Sequence, residues 1–561
     1  MIKYPLDYNP ILEYWEDIKN GKEIVPLKIY YTYKKLVSDL IDTTRDYYYS
    51  NSRANHVIEF IENYCRHSKG KMGGKPVILE VWEKAMLATI FGFIDIEGNR
   101  KYREAMLIIG KKNGKSLISS CVGLYLQVAD GEAGAEIYSV ATKKDQAKII
   151  WQESKRMVRK SPALLKRIKP LVAELVSDFN DGVFKPLASD SDTLDGLNVH
   201  GVLMDEIHQW KQGKALFNIM ADGTSAREQP LVFITSTAGT VREDIYDEKY
   251  DEASRIINGY SDDNGYKDEH FIPFIYELDN RKEWVDEKCW KKANPGLGTI
   301  KNYEQLKSKV EKAIANPSLV KNLVCKEFNI RETSSEAWLT FEQLNNTATY
   351  DIQELKPRYA IGGGDLSSTT DLTAACVIFM LPNDEQVYVK SMFWLPEDLI
   401  EIRVREDKTP YDDWIEQGYM RTCIGNKVHA KYVTEWFMEM QNEYDVYIPW
   451  IGYDSWSATY WVEEMRGELG KESMIPVRQG KQTLSQPMKQ LGADLEKKII
   501  NYDNNPILKW CLANTAIEED KNANIQPHKT SKSRKRIDGL AALLNAYVVL
   551  QDKYGDYTTM I

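Results

Sequence analysis

Ile108-Ile109-Gly110-Lys111-Lys112-Asn113-Gly114-Lys115-Ser116 follows one apolar run and opens another with helical spacing. The phosphates of a nucleotide need a nest of backbone N–H donors, a helix N-terminus, one ammonium and a hydroxyl for magnesium. Gly114, Lys115 and Ser116 offer that set, with Lys115 reaching the β and γ phosphates and Ser116 ligating Mg²⁺. Gly110, Lys111, Lys112 and Asn113 supply the rest of the loop. The usual first glycine of such a loop falls at Ile109, one place before Gly110, so the pattern is imperfect. Alone, it also fits a lysine-rich turn before a helix.

A second signal stands downstream. Val202-Leu203-Met204-Asp205-Glu206 is an apolar strand ending in two carboxylates. Asp205 is placed to hold a hydrated magnesium, and Glu206 to polarise the water that attacks a γ-phosphate. Acidic pairs after apolar runs are common, but this pair behind Gly-Lys-Ser points to ATP hydrolysis with Mg²⁺. Leu231-Val232-Phe233-Ile234-Thr235-Ser236-Thr237-Ala238-Gly239 ends a further strand in hydroxyls, where one can sense the γ-phosphate. A buried strand with a Ser/Thr turn is the plain alternative. His208 either orders a hydrogen bond at this site or starts a helix.

Around these motifs, apolar runs at 105–109, 136–140, 200–204 and 231–235 alternate with helical stretches, the rhythm of a largely parallel sheet covered by helices. Residues 1–75 read as helical, closed by the break Lys69-Gly70-Lys71-Met72-Gly73-Gly74-Lys75-Pro76. Residues 241–350 read as more polar and helical, with Asn294-Pro295-Gly296 marking a turn. A junction is expected near 335–357. Beyond it, runs at 359–364, 373–379, 386–393 and 446–453 precede a helical ending and predict a second, mixed α/β domain. The expected division is thus 1–75, 76–350 and 357–561.

Bulk properties agree. A chain of 561 residues exceeds the ~100–200 of an ordinary domain. No run approaches the ~20 apolar residues of a membrane span, and no secretion signal is visible at Met1-Ile2-Lys3-Tyr4. Seven dispersed cysteines without a CxxC pair fit a reducing compartment and argue against a disulfide framework or zinc site. A net charge of -10 argues against simple coating of nucleic acid, though not against local basic strips.

Three aspartates stand out in the second half. Asp365 ends Tyr359-Ala360-Ile361-Gly362-Gly363-Gly364-Asp365, and Asp454 ends Ile448-Pro449-Trp450-Ile451-Gly452-Tyr453-Asp454. Asp538, in Arg536-Ile537-Asp538-Gly539, opens an apolar helix. Two adjacent strand ends and one helix can converge three carboxylates, the hard oxygen ligands that Mg²⁺ or Mn²⁺ prefer. Such a cluster can hold two metals and cut a phosphodiester. Asp371 is a fourth carboxylate or a loop residue. The run His528-Lys529-Thr530-Ser531-Lys532-Ser533-Arg534-Lys535-Arg536 either holds phosphates beside this centre or is a solvated loop. Val477-Arg478-Gln479-Gly480 is a plausible DNA-facing turn.

Taken in order, these pieces resemble the large terminase subunits of tailed phages over most of the chain. Gly110-Lys111-Lys112-Asn113-Gly114-Lys115-Ser116 is close to the family's Arg-Lys-Asn-Gly-Lys-Ser form, with Lys111 replacing the arginine. Asp195-Gly196-Leu197-Asn198, Asp205-Glu206-Ile207-His208 and Thr235-Ser236-Thr237-Ala238-Gly239 match its central block. Leu79-Glu80-Val81-Trp82-Glu83 looks like the family's adenine motif, Glu83 standing where glutamine is usual, so Trp82 and Glu83 join the expected nucleotide contacts. The aspartate order is similar to the terminase nuclease, of ribonuclease H-like fold. The resemblance implies a P-loop NTPase motor that drives double-stranded phage DNA into a prohead, fused to a nuclease that cuts concatemers. It also implies a small terminase subunit and the portal protein as partners, a homo-oligomeric ring, and residence in host cytoplasm and transiently at the portal vertex, not in the mature virion.

A motor of this class needs a positive group for charge developing on the transferred phosphoryl. Arg227 is the leading candidate, within or between subunits; Arg156 and Arg159 compete with it. Two rival functions remain open. A helicase–nuclease of repair or defence would share both centres but should carry a second motor domain, which is not found. A structural capsid or portal component would lack both activities.

Overall fold

The computed structural model describes residues 1–561 except 190–195, 212, 241–243, 261–264, 333–336, 367–371, 408, 455–458 and 530–535. Asp195, Asp371 and positions 530–535 of the basic run thus lie outside the described residues. The chain divides into two compact units, residues 1–240 with 244–331, and residues 332–561.

The first unit is built on eight strands among the described residues: β1 (Glu104–Ile108), β2 (Glu136–Ala141), β3 (Lys169–Pro170), β4 (Leu175–Ser177), β5 (Gly182–Ala188), β6 (Val199–Asp205), β7 (Leu231–Ser236) and β8 (Phe271–Ile275). They lie in the order β8-β1-β7-β6-β2-β5-β4-β3, parallel from β8 to β5 and antiparallel thereafter. Parallel neighbours need crossover connections, and the helices Lys115–Val128 and Lys144–Lys160 follow β1 and β2. Strand β7 is buried along its whole length, which is why it reads as a continuous apolar run. The N-terminal helices Pro10–Lys19, Leu27–Ile41 and Asn51–Tyr64 bury Ile11, Tyr33 and Ile58 in the same core as Leu107 and Phe274. Asn9 starts the first by accepting the N–H groups of Ile11 and Leu12.

Four strands of this sheet escaped the sequence: β3 and β4 span only two and three residues, and the longer β5 and β8 each contain proline. β8 falls in the stretch expected to be polar and helical. Its Phe-Ile-Pro-Phe-Ile sequence places Pro273 mid-strand, which a sheet tolerates because β8 is an edge whose outer side needs no donor. β5 carries Pro186, beyond the Gly182–Phe184 stretch that pairs with β4.

The second unit holds a mixed sheet of β9 (Tyr359–Asp365), β10 (Thr373–Phe379), β11 (Val387–Pro396), β12 (Met420–Cys423), β13 (Tyr447–Asp454), β14 (Met474–Val477) and β15 (Ile500–Asn501). Its order is β12-β11-β10-β9-β13-β14, with β15 beside β11. β9, β10 and β11 form an antiparallel meander, whereas β13 joins β9 in parallel. The short strands β12, β14 and β15 give too few residues for a readable alternation. Residues 337–344 pack here: Leu339, Phe341 and Leu344 share a core with Met488 and Leu491.

The helix Asp538–Asp552 lies so close to β9 and β13 that only glycine fits beneath it. A Cβ on Gly363 would stand 2.2 Å from the Ala542 carbonyl oxygen, and one on Gly452 would stand 2.3 Å from that of Asn545. All seven cysteines are unbridged; six are buried and Cys289 is partly exposed. No helix among the described residues is long and apolar enough to cross a membrane.

Candidate functional site

The nucleotide loop turns at the C-terminal end of β1. Gly114 holds φ of 89°, the left-handed conformation that glycine adopts without a Cβ penalty, and Lys115 then opens its helix. The Lys115 ammonium folds back onto the loop, donating to the Ile109 carbonyl at 3.0 Å, and stands 3.7 Å from Glu206 Oε1. Burial pulls its pKa below the ordinary lysine range, while Glu206 and Asp205 pull it back up.

Asp205 is gripped from two sides. Ser116 Oγ donates to one carboxylate oxygen at 3.4 Å and Thr235 Oγ1 to the other at 2.9 Å. Burial, then the neighbouring Glu206, pushes the Asp205 carboxyl up to about 6. Parallel register makes this possible, because Asp205 and Thr235 are direct partners across β6 and β7.

Glu206 sits just past the strand with φ of 52°, a left-handed backbone on a non-glycine residue. Such conformations cost about 1–3 kcal/mol and persist where surroundings over-determine them. Here the Glu206 N–H donates to the Thr235 carbonyl at 2.7 Å, and Oε2 lies 3.1 Å from His208 Nδ1. His208 Nδ1 also meets Ser236 Oγ at 3.0 Å. The histidine therefore sits in the middle of a short 3-10 turn, Ile207–Gln209, and braces the carboxylate from there.

Glu83 caps the helix Val81–Gly92 by accepting the Glu80 N–H at 2.8 Å, and its Oε1 lies 3.7 Å from where a Gly114 Cβ would be. Trp82 is 2% exposed and packs edge-on against Tyr276, ring centroids 5.7 Å apart. The helix start thus borders the loop through Glu83, while Trp82 points into the core.

Arg227 does not join this cradle. Its guanidinium is held by Glu132 at 2.6 Å and by the Gly134 carbonyl at 2.8 Å. Those partners precede β2, and Arg227 precedes β7, so it sits where the parallel strands begin, whereas Asp205 and Thr235 sit where they end. Arg156 pairs with Glu153 at 3.6 Å, and Arg159 is exposed.

A brace under the loop went unread in the sequence. Asn294 Oδ1 accepts from Asn113 Nδ2 at 2.9 Å and from Lys301 Nζ at 2.6 Å. Lys301 also pairs with Glu327 at 2.7 Å, and burial pulls its pKa down to about 8. Asn294-Pro295-Gly296 signals only a turn locally; a side-chain bond across 181 residues leaves no local spacing to find.

In the second unit, Gly364 faces Tyr453 across the parallel pair, so one further step sets Asp365 beside Asp454. Both stand two residues beyond the glycines pressed by the helix Asp538–Asp552, and strand alternation turns them to that helix's face. Asn545 locks helix to strand by donating to the Gly364 carbonyl at 2.9 Å, and Gln479 Nε2 donates in turn to Asn545 Oδ1 at 3.2 Å. Asp538 opens that helix and is 5% exposed. Burial pushes the Cys511 thiol up, with Asp538 and, more weakly, Asp365 adding to it, so both carboxylates act on one buried group. The strand register brings Asp365 and Asp454 to one rim, and Asp538 starts the helix that packs over it. Among the described residues, however, no three His, Cys, Asp or Glu side chains are gathered into a metal-holding cluster.

Comparison with known proteins finds two family matches, the second of which begins inside the first unit. Residues 81–255 match the family "Terminase large subunit, ATPase domain", and residues 265–553 match "Terminase large subunit, endonuclease domain". The terminase large subunit of Enterobacteria phage HK97 is 25% identical over 497 residues, 88% of this chain and 94% of that protein. That of Lactococcus phage p2 is 22% identical over 533 residues, 91% and 94% of the two chains. The crystal structure of the HK97 large terminase is similar with a TM-score of 0.46 and 23% identity, covering 89% of this chain and 99% of that one. With both domain families matched in sequence and the endonuclease match alone spanning just over half its length, this chain belongs to the terminase large-subunit family.

Proposed function

We propose that the first unit uses ATP to drive double-stranded phage DNA into a prohead and that the second unit, which takes in residues 337–350 as well as 357–561, cuts concatemeric DNA. One observation supports the motor reading most: Lys115, Ser116, Asp205, Glu206 and Thr235, from three separate stretches, meet at one end of the sheet. In this reading Gly110, Lys111, Lys112, Asn113 and Gly114 wrap the phosphates with backbone N–H groups, and Lys115 holds the β and γ oxygens. Ser116 and Asp205 offer oxygen donors that suit Mg²⁺. Glu206, braced by His208, orients the attacking water and accepts its proton. Glu83 borders the base. Asp365, Asp454 and Asp538 would be the residues to hold Mg²⁺ or Mn²⁺, whose hard-oxygen preference their carboxylates suit. Bound cations supply phosphate charge neutralisation at the first centre and water activation at the second. Arg227 serves only across a subunit boundary in a ring. The small terminase subunit and portal protein are the partners, and the host cytoplasm and portal vertex the places of action.

The test is ATP turnover and DNA cleavage by the purified chain, with Mg²⁺ and Mn²⁺ compared. Both activities should appear and both should vanish with chelator. A folded chain with neither activity, or with unwinding but no stimulation by proheads, would overturn the proposal.

A further inference from the structure

At the opposite end of β1 and β8 from the nucleotide loop lies a cavity of about 290 Å³. Its walls carry Lys35, Arg45, Lys101 and Lys267 against Asp268 and Glu269. Lys35 and Arg45 share Asp39, at 2.5 and 2.9 Å, and Arg45 also pairs with Asp42 at 2.7 Å. Asp268 caps the entry to β8 by accepting the N–H of His270 at 2.8 Å.

Lys101 is different. It is 3% exposed, yet among the described residues its ammonium has no hydrogen bond or ion pair. Its near neighbours are the faces of Tyr47 and Tyr102, with centroids at 5.4 and 5.2 Å. Burial pulls its pKa down, repulsion by Lys35 and Arg45 adds to that, and the attraction of Asp39 and Glu269 does not offset them. A buried ammonium without a counter-charge is costly, and an anion in the adjoining space is what relieves it.

We infer that this cavity is a second anion site, in which Lys101, with Arg45 and Lys35 at its rim, takes a small phosphate-type oxyanion. The volume falls at the low end of the ~300–1,000 Å³ of ligand pockets, which suits phosphate or pyrophosphate more than a whole nucleotide. The site does not depend on the motor reading.

The test is equilibrium dialysis of radiolabelled inorganic phosphate against the full chain, with a non-hydrolysable ATP analogue saturating the nucleotide loop. One phosphate per chain should bind. Lys101→Met should weaken it by roughly tenfold or more, as expected for loss of a charge-assisted bond, and Lys101→Arg should largely retain it. Analogue affinity reports folding of each variant; if Lys101→Met fails that check, Arg45→Gln must weaken phosphate instead. No uptake by the wild-type chain, or equal uptake by the folded variants, overturns the site. So does sensitivity to these substitutions seen only with duplex DNA and never with free phosphate.

Discussion

Burial decides what Glu83 can be. At 4% exposure its carboxyl is pushed up to about 8 by desolvation, against an ordinary 4.5. Between those values the folded chain keeps a proton that the unfolded chain has lost. Stability from this group is therefore full below the ordinary value and declines as pH rises towards about 8. Glu83→Gln should flatten that decline when thermal melts at about pH 5 and about pH 8.5 are compared, and equal slopes in both chains would refute it. Asn294→Ala should cost about 1–3 kcal/mol in denaturant melts, because Asn113 and Lys301 each lose a buried partner. It should also weaken nucleotide binding, measured with a fluorescent analogue. At this scale the sequence exposed the residues that carry charge in a fixed spacing, such as Lys115 and Asp205. Asn294 depends on a partner 181 residues away and His208 on Ser236 as well as its neighbour Glu206, and Arg227 drew attention only by preceding a strand.

Among the elements, legibility followed the period of burial. β6, β7, β9 and β10 are buried nearly end to end and announce themselves as apolar runs. β8 and β5 hide behind prolines that only their places in the sheet make tolerable. The helix Asp538–Asp552 is readable as apolar, but its distance from the sheet is set by Gly363 and Gly452. Gly363→Ala should force strand and helix apart and cost about 1–3 kcal/mol or more, as overpacking does. The expected signature is early melting of the second unit and loss of cutting with ATP turnover retained. Unchanged cleavage and melting would show that the helix yields easily.

For the whole molecule, two centres on two sheets imply separable activities. Lys115→Ala should lower ATP turnover by at least ~100-fold, the scale of losing one preorganised charge donor, and leave cleavage largely intact. Asp365→Ala should do the reverse. Parallel assays on both variants check this, and equal loss of both activities in each folded chain would contradict it. Cys289, alone among the seven thiols in not being buried, has a practical consequence. A maleimide dye offered to the folded chain should settle on that one position, and slowly, since burial and nearby Glu283 keep its thiol protonated. Denaturant should raise the stoichiometry towards seven. The wild-type chain thus comes ready for single-molecule fluorescence, tagged at one known place without engineering.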